Sequence, residues 1–310
     1  MIPGLPVIRQ GVRNAKGYSM SQAQDTSFLA GLKARLGFSL YLLKQRKSPL
    51  VGLAIITIII LVAILAPFIA PYDPDLYSRT RVVPPSWEHW FGIDHLGRDV
   101  LSRVIYGARI SLIIGVLSVL IALGIGVFLG VVAGYFGGII DTVIMRSMDV
   151  MMALPYVLMA ILIAAVLGPS LENAILSIGI VRVPRFARLT RACTITTKKL
   201  QYIEASRSLG ASSCWIITRD ILPNIFGPII VYATLSLGDS ILGAAVLSFL
   251  GLGAQPPIPE WGAMLNEAQR YITRAPYLSI FPGMAIFLTV LGFNLFGDGL
   301  RDILDPKSRQ

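Results

Sequence analysis

The run LVGLAIITIIILVAILAPFIA, Leu50 to Ala70, has no charged residue and a single hydroxyl. At about 1.5 Å of rise per residue, some twenty residues of helix cover the roughly 30 Å hydrocarbon core of a bilayer. Lipid offers no partner to a bare N–H or C=O, so such a segment crosses as a helix that closes its own backbone bonds. Five further runs read the same way: Ile110–Gly134, Val143–Leu167, Leu171–Ala187, Ile225–Phe249 and Tyr277–Phe296. The whole chain agrees, because 55% apolar and 14% charged residues with a mean hydropathy of +0.70 lie outside the range of a soluble domain. The sequence is therefore that of an all-α integral membrane protein with six transmembrane helices.

The formal charge of +10 could point to nucleic acid, but its placement argues for topology. Eight Lys or Arg and a lone Asp25 precede Leu50, and Arg182, Arg185, Arg188, Arg191, Lys198, Lys199, Arg207 and Arg219 crowd the end of the fourth run and the segment after it. Residues 71–109 instead mix Asp73, Asp75, Glu88, Asp94 and Asp99 with their arginines, and Glu260 and Glu267 balance Arg270 and Arg274. By the positive-inside rule both termini are expected in the cytoplasm, as an even number of spans requires. The first 48 residues lack a short apolar run closed by a small-residue cleavage site, so the first span is expected to be retained. Within them Phe28, Leu32, Leu36, Leu40 and Leu43 recur at helical spacing beside basic residues, the pattern of an amphipathic helix on the inner leaflet.

Sites of enzyme chemistry do not assemble. Gly92–Asp99, GIDHLGRD, has the outline of a phosphate loop, yet Arg98 replaces the lysine and Asp99 stands where a hydroxyl should ligand magnesium. His89 and His95, the two histidines, fall in one loop without a metalloprotease motif, and no serine sits in G-x-S-x-G. Cys193 and Cys214 lack metal-ligand spacing and are read as reduced thiols, so no metal site is expected. Gly126, Gly130 and Gly134 recur every fourth residue in the second run, a face that lets another helix approach closely. Pro155 and Pro282 interrupt the third and sixth runs, where packing kinks are expected. Asp239, in the fifth run, is the unusual charge at membrane depth; it can bind a substrate ammonium, pair with Arg182 or cap a broken helix.

The stretch YIEASRSLGASSCWIITRDILPN, Tyr202 to Asn224, is polar between two apolar runs. A helix from about Thr197, a left-handed cap at Gly210, a second helix capped by Ser212 or Ser213 and a new span starting at Pro223 account for it. Trp215, Ile216 and Ile217 are expected to pack on the span ends, leaving Glu204, Arg207 and Arg219 for an aqueous partner. The arrangement Glu204-Ala205-Ser206, Gly210, Leu222-Pro223 resembles the EAA loop of bacterial ABC importer permeases, with Ser206 in place of an alanine and Asp220 at the usual isoleucine position. Three longer stretches, Gly92–Leu112, Leu247–Ala268 and Phe293–Lys307, are similar to the C-type permease of dipeptide, oligopeptide and nickel importers, with the peptide and glutathione members nearest.

That resemblance implies a type I importer permease fold in the bacterial cytoplasmic membrane, with cytoplasmic coupling helices. It implies a second homologous permease, two ABC ATPases that carry the ATP and Mg, and an extracytoplasmic substrate-binding protein; this chain itself would hold no cofactor and meet no nucleic acid. On this reading residues 1–48 form a cytoplasmic segment, 49–104 the first span and outer loop, 105–303 a five-span core with its coupling loop at 190–224, and 304–310 a tail. The coupling contacts would be Glu204, Ala205, Ser206, Gly210, Leu222 and Pro223. Asp239 and Arg182 are the candidate pathway residues, and Gln255, Pro256, Pro257, Glu260 and Trp261 the candidate contact to the binding protein or outer gate. Peptides are the expected cargo, with glutathione or nickel chelates as the alternative. An ion-coupled secondary transporter is the rival class, and it would need a set of intramembrane carboxylates where Asp239 is the one good candidate.

Overall fold

The computed structural model describes residues 47–304, all helix and loop, with no strand among them beyond isolated bridges that join Val83, Ile93 and Asp99. The amphipathic helix expected over Phe28–Leu43 lies outside the described residues. The long helices are α1 (Lys47–Ile69), α2 (Val100–Phe136), α5 (Leu171–Lys198), α7 (Ser213–Phe249) and α9 (Tyr277–Leu304). Between them lie α3 (Gly138–Met152), α4 (Tyr156–Leu167), α6 (Gln201–Ser208) and α8 (Trp261–Ala268). Of these, α1, α2, α7 and α9 are long and apolar enough to cross a membrane, and α3 with α4 make a fifth crossing if the pair is one span. Helix α5 has the length but carries Arg182, Arg185, Arg188 and Arg191.

Helix α2 is central, touching α5, α7 and α1, while α9 packs on α1 and α7. The tightest seam joins α2 to α5. A Cβ placed on Gly126 would sit 2.5 Å from Phe186 Cβ, one on Gly130 2.5 Å from the Ala187 carbonyl, and one on Gly134 2.8 Å from Thr194 Cβ. These are distances that only hydrogen tolerates, so the glycine row sets how closely the two backbones approach. At the other end of the seam Ser118 Oγ donates to the Ile175 carbonyl at 3.1 Å.

The third apolar run is not one straight span. Residues 153–155 turn the chain by 89° between α3 and α4. Pro155 has no N–H to give the ladder and holds Leu154 away from helical geometry, so α4 restarts from an extended Pro155 at φ −53°, ψ 133°. Polar contacts hold α3 off the axis of α4: Arg191 grips Asp141 through two bonds of 2.5 and 2.6 Å, and Arg188 reaches Asp149 at 2.5 Å.

Two other boundaries differ from the apolar runs. Helix α2 begins ten residues early because Asp99 caps it, accepting from the Ser102 N–H at 2.8 Å. Helix α5 continues past Ala187 to Lys198, since its arginines project to pairs or solvent and leave the ladder intact.

Candidate coupling surface and charged interior site

After α5 the chain turns at Leu200 into the short α6, then through Gly210 at φ +82°. That left-handed conformation is open to glycine at no steric cost. Ser212 then caps the next helix, its Oγ accepting from the Trp215 N–H at 3.3 Å. The second helix is not the separate piece that the sequence predicts. It is the first turn of α7, which runs unbroken through a π-helical stretch, Ile216–Ile221, and past Pro223. Leu222 N–H bonds the Ile217 carbonyl across this wider turn, which makes room for the proline ring.

The knob is fixed from below. Ile203, Ile216, Ile221 and Ile225 are buried together against Val131 and Tyr135 of α2. Tyr202 Oη accepts from Asn224 Nδ2 at 2.9 Å, tying α6 to α7, and Lys198 Nζ donates to the Tyr135 carbonyl. What remains outward is Glu204, Ala205 and Gly210, with Leu209 89% exposed at the tip. Ser206 and Leu222 are half-buried, and Pro223 is exposed. Trp215 departs from expectation: Ile216 packs inward, whereas the indole lies exposed. The residues of the EAA-like pattern thus gather at one end of the bundle.

Deeper in the bundle, Arg182 of α5 and Asp239 of α7 meet at 3.7 Å between Nη1 and Oδ2. Arg182 is buried at 4% exposure, while Asp239 keeps 53% of its side chain open. Tyr156, delivered by the break before α4, holds its ring 5.8 Å from the Arg182 guanidinium and 5.7 Å from that of Arg185. Sequence reading singled out Arg182 and Asp239 but missed Tyr156 and Arg185, which no local pattern connects to them.

The 70–99 loop is bolted to the α8 region. Arg98 is fully buried and bridges two carboxylates, Nε to Asp94 at 2.6 Å and Nη2 to Glu267 at 2.5 Å. Arg103 lies behind it, donating to the carbonyls of Pro74 and Pro257 at 3.4 and 3.3 Å. His89 Nδ1 lies 2.8 Å from the capping Asp99. The phosphate-loop outline of Gly92–Asp99 is therefore a turn whose charges are spent on internal bonds. Asp94, His95 and Glu267 converge closely enough to offer ligands to a metal, but Arg98 already occupies both carboxylates.

Gln255, Pro256 and Pro257 stand exposed on the loop after α7. Glu260 and Trp261 do not. The Trp261 indole is buried and its Nε1–H donates to the Val104 carbonyl at 3.0 Å. Glu260 is buried as the cap of α8, accepting from the Ala263 N–H at 2.8 Å. A partner arriving at this loop meets the first three residues, and the last two act as its internal anchor.

Burial pushes the Glu260 carboxyl above the ordinary glutamate range. An acid whose folded pKa is raised weakens the fold as pH climbs from its unfolded value, about 4.3, through the folded one. The melting temperature of the detergent-solubilised protein should therefore rise on acidification from pH 8 toward pH 5, and Glu260→Gln should flatten that rise. An unchanged slope in the variant would place the titration elsewhere.

The model of the binding-protein-dependent transport system inner membrane component matches residues 126–310. The chain belongs to that family. The N-terminal TM domain of oligopeptide transport permease C matches residues 40–85. Dipeptide transport system permease protein DppC of Alkalihalophilus pseudofirmus is 50% identical over 271 residues, 86% of this chain and 88% of the relative. Glutathione transport system permease protein GsiD of Pectobacterium atrosepticum is 48% identical over 268 residues, again 86% and 88%. Among solved structures the inward-facing MetNI methionine ABC transporter superposes with a TM-score of 0.52 at 18% identity, covering 65% of this chain and 96% of that one. The protein is a multi-pass membrane permease subunit of an ABC importer with the type I fold, and not an enzyme.

Proposed function

We propose that this permease carries di- and oligopeptides across the cytoplasmic membrane, with both termini cytoplasmic and the 70–99 and 250–276 loops outside. It works beside a second homologous permease, two ATPases supply the energy from ATP and Mg, and a binding protein delivers cargo to the outer face. The 105–303 core carries the translocation machinery, with 49–104 as an N-terminal addition to it. Gln255, Pro256 and Pro257 receive the binding protein, while Arg182 and Asp239 line the pathway, Asp239 offering its open side to a peptide ammonium. Peptide cargo follows from relatives named for a dipeptide and for glutathione, itself a small peptide. Glutathione is the second reading, on the strength of its 48% identical relative.

The observation that carries coupling is the knob: Glu204, Ala205 and Leu209 project from an apolar footing at the end of the helix that also holds Asp239. Closure of the ATPases on this knob would tilt α7 as a lever and change access to the interior site. Co-purification of the tagged chain with its neighbours tests this. A Glu204→Lys, Gly210→Pro double variant should keep the second permease and lose the ATPases at least about tenfold, the effect of removing one charged contact at an interface. ATPases retained at the wild-type ratio would move the coupling site elsewhere.

A further inference from the structure

The geometry points to a carboxylate receptor in the pathway, in which Arg185, set on the Tyr156 ring beside the Arg182–Asp239 pair, takes the free carboxylate of an anionic peptide. The inference rests on the peptide reading above and adds to it the charge class of the cargo.

Depth comes first. Arg182 lies eleven residues into α5, and Asp239 lies ten residues before the end of α7, so each is about 15–17 Å from the nearer helix end. Asp239 thus lies within an apolar span, where an ionisable group faces the bundle interior or a water-filled cavity and not lipid. Asp239 and Arg185 are both open in the isolated chain, so the face they share is a pathway or a protein neighbour.

Two guanidiniums flank the Tyr156 ring and one of them pairs with Asp239, leaving one surplus positive charge. Asp239 neutralises Arg182 while half of its own side chain stays open. Among the described residues Arg185 has the Tyr156 ring and no carboxylate, and the buried Arg182 Nε has no hydrogen-bond partner. Unspent guanidinium donors beside a fixed aromatic face suit a carboxylate, which takes two parallel N–H bonds from one arginine.

The set is also complementary in count to glutathione, which has two carboxylates and one ammonium, and to dipeptides with one acidic side chain. Tyr156 acts as the positioning residue, since its ring holds both guanidiniums and is itself placed by the break at Pro155. The 89° turn between α3 and α4, which a simple span would not need, thereby acquires a use.

Uptake into proteoliposomes that hold the complete transporter tests the site, with the binding protein saturated by each peptide and ATP inside. The probes are Ala-Glu and its near-isosteric neutral counterpart Ala-Gln. Because the binding protein is identical throughout, the ratio of the two rates, compared between permease variants, isolates the permease. Arg185→Gln should lower the Ala-Glu to Ala-Gln ratio about tenfold, the worth of one hydrogen bond to a charged group. Arg185→Lys should restore part of it. Arg185 is exposed and in no ion pair among the described residues, so the fold tolerates the change.

An unchanged ratio in Arg185→Gln, or an equal fall for both peptides, would overturn the proposal. Loss of the second permease on purification with the ratio intact would do so too, identifying Arg185 as an interface ion-pair partner. Wild-type transporter that carries neither peptide would sink the peptide reading itself, and this site with it.

Discussion

Arg98→Gln costs the folded chain about 3 kcal/mol, because it leaves the buried Asp94 and the half-buried Glu267 without the cation that bridges them. Asp94 and Glu267 come from distant parts of the sequence, and Arg98 touches both from a position without solvent exposure. Arg103 cannot substitute, since its nitrogens approach the same carboxylates at 3.9 and 4.0 Å. Lysine recovers the charge but not the fork, as one ammonium cannot reach Asp94 along Nε and Glu267 along Nη2 together. The expected order of thermal stability in detergent is wild type, Arg98→Lys, Arg98→Gln. A wild-type melting profile for Arg98→Gln would mean that the network contributes nothing to the fold.

Gly130→Leu should prove as damaging by a different route. The first added carbon already meets the Ala187 carbonyl at 2.5 Å, and that carbonyl belongs to a helix backbone that cannot rotate aside as a side chain would. The two helices must separate, which exposes the packing of Gly126 on Phe186 and Gly134 on Thr194 in the same seam. Overpacking of this kind typically costs about 1–3 kcal/mol, and a collision with backbone that cannot turn aside puts this site at the upper end. Yield of monodisperse protein and the melting temperature should both fall, whereas Gly124→Leu, on the same helix with open space around it, should leave them unchanged. Equal behaviour of the two variants would show that the seam is more pliant than its geometry states.

Much of this architecture was legible in the chain, for reasons that differ by element. The apolar runs named the long helices because lipid forces each to satisfy its own backbone. Gly126, Gly130 and Gly134 announced their seam by spacing, although not that α5 is the partner. Gly210 and Ser212 were readable because a left-handed turn and a helix cap each favour few residue types. Pro155 was ambiguous: a proline in a membrane helix is often a modest kink, and the sharp break here goes with Arg188 and Arg191 holding Asp149 and Asp141, pairs about forty to fifty residues apart. Pro223 misled in the opposite sense, reading as a helix start where the π-helical turn lets α7 pass through. Glu260 and Trp261 looked like the tip of a surface loop because polarity and aromaticity favour interfaces; their burial is set by Val104 and the α8 cap, which the local sequence does not express. Asp99-x-x-Ser102 before an apolar run could have placed the start of α2 correctly. The clamp between Arg98 and Glu267 had no local signature.

The glycine seam also limits which relative motions the permease has available. Two backbones in direct contact over two helical turns cannot slip or roll past one another without a collision of main-chain atoms, so α2 and α5 count as one body with six degrees of freedom and not twelve. Any alternation of access must then be taken up by joints elsewhere. Along this part of the chain the right-angled elbow at residues 153–155 and the positive-φ glycines at 137, 138, 168 and 210, with open space where a Cβ would stand, are the joints between helices at which such motion can be taken up.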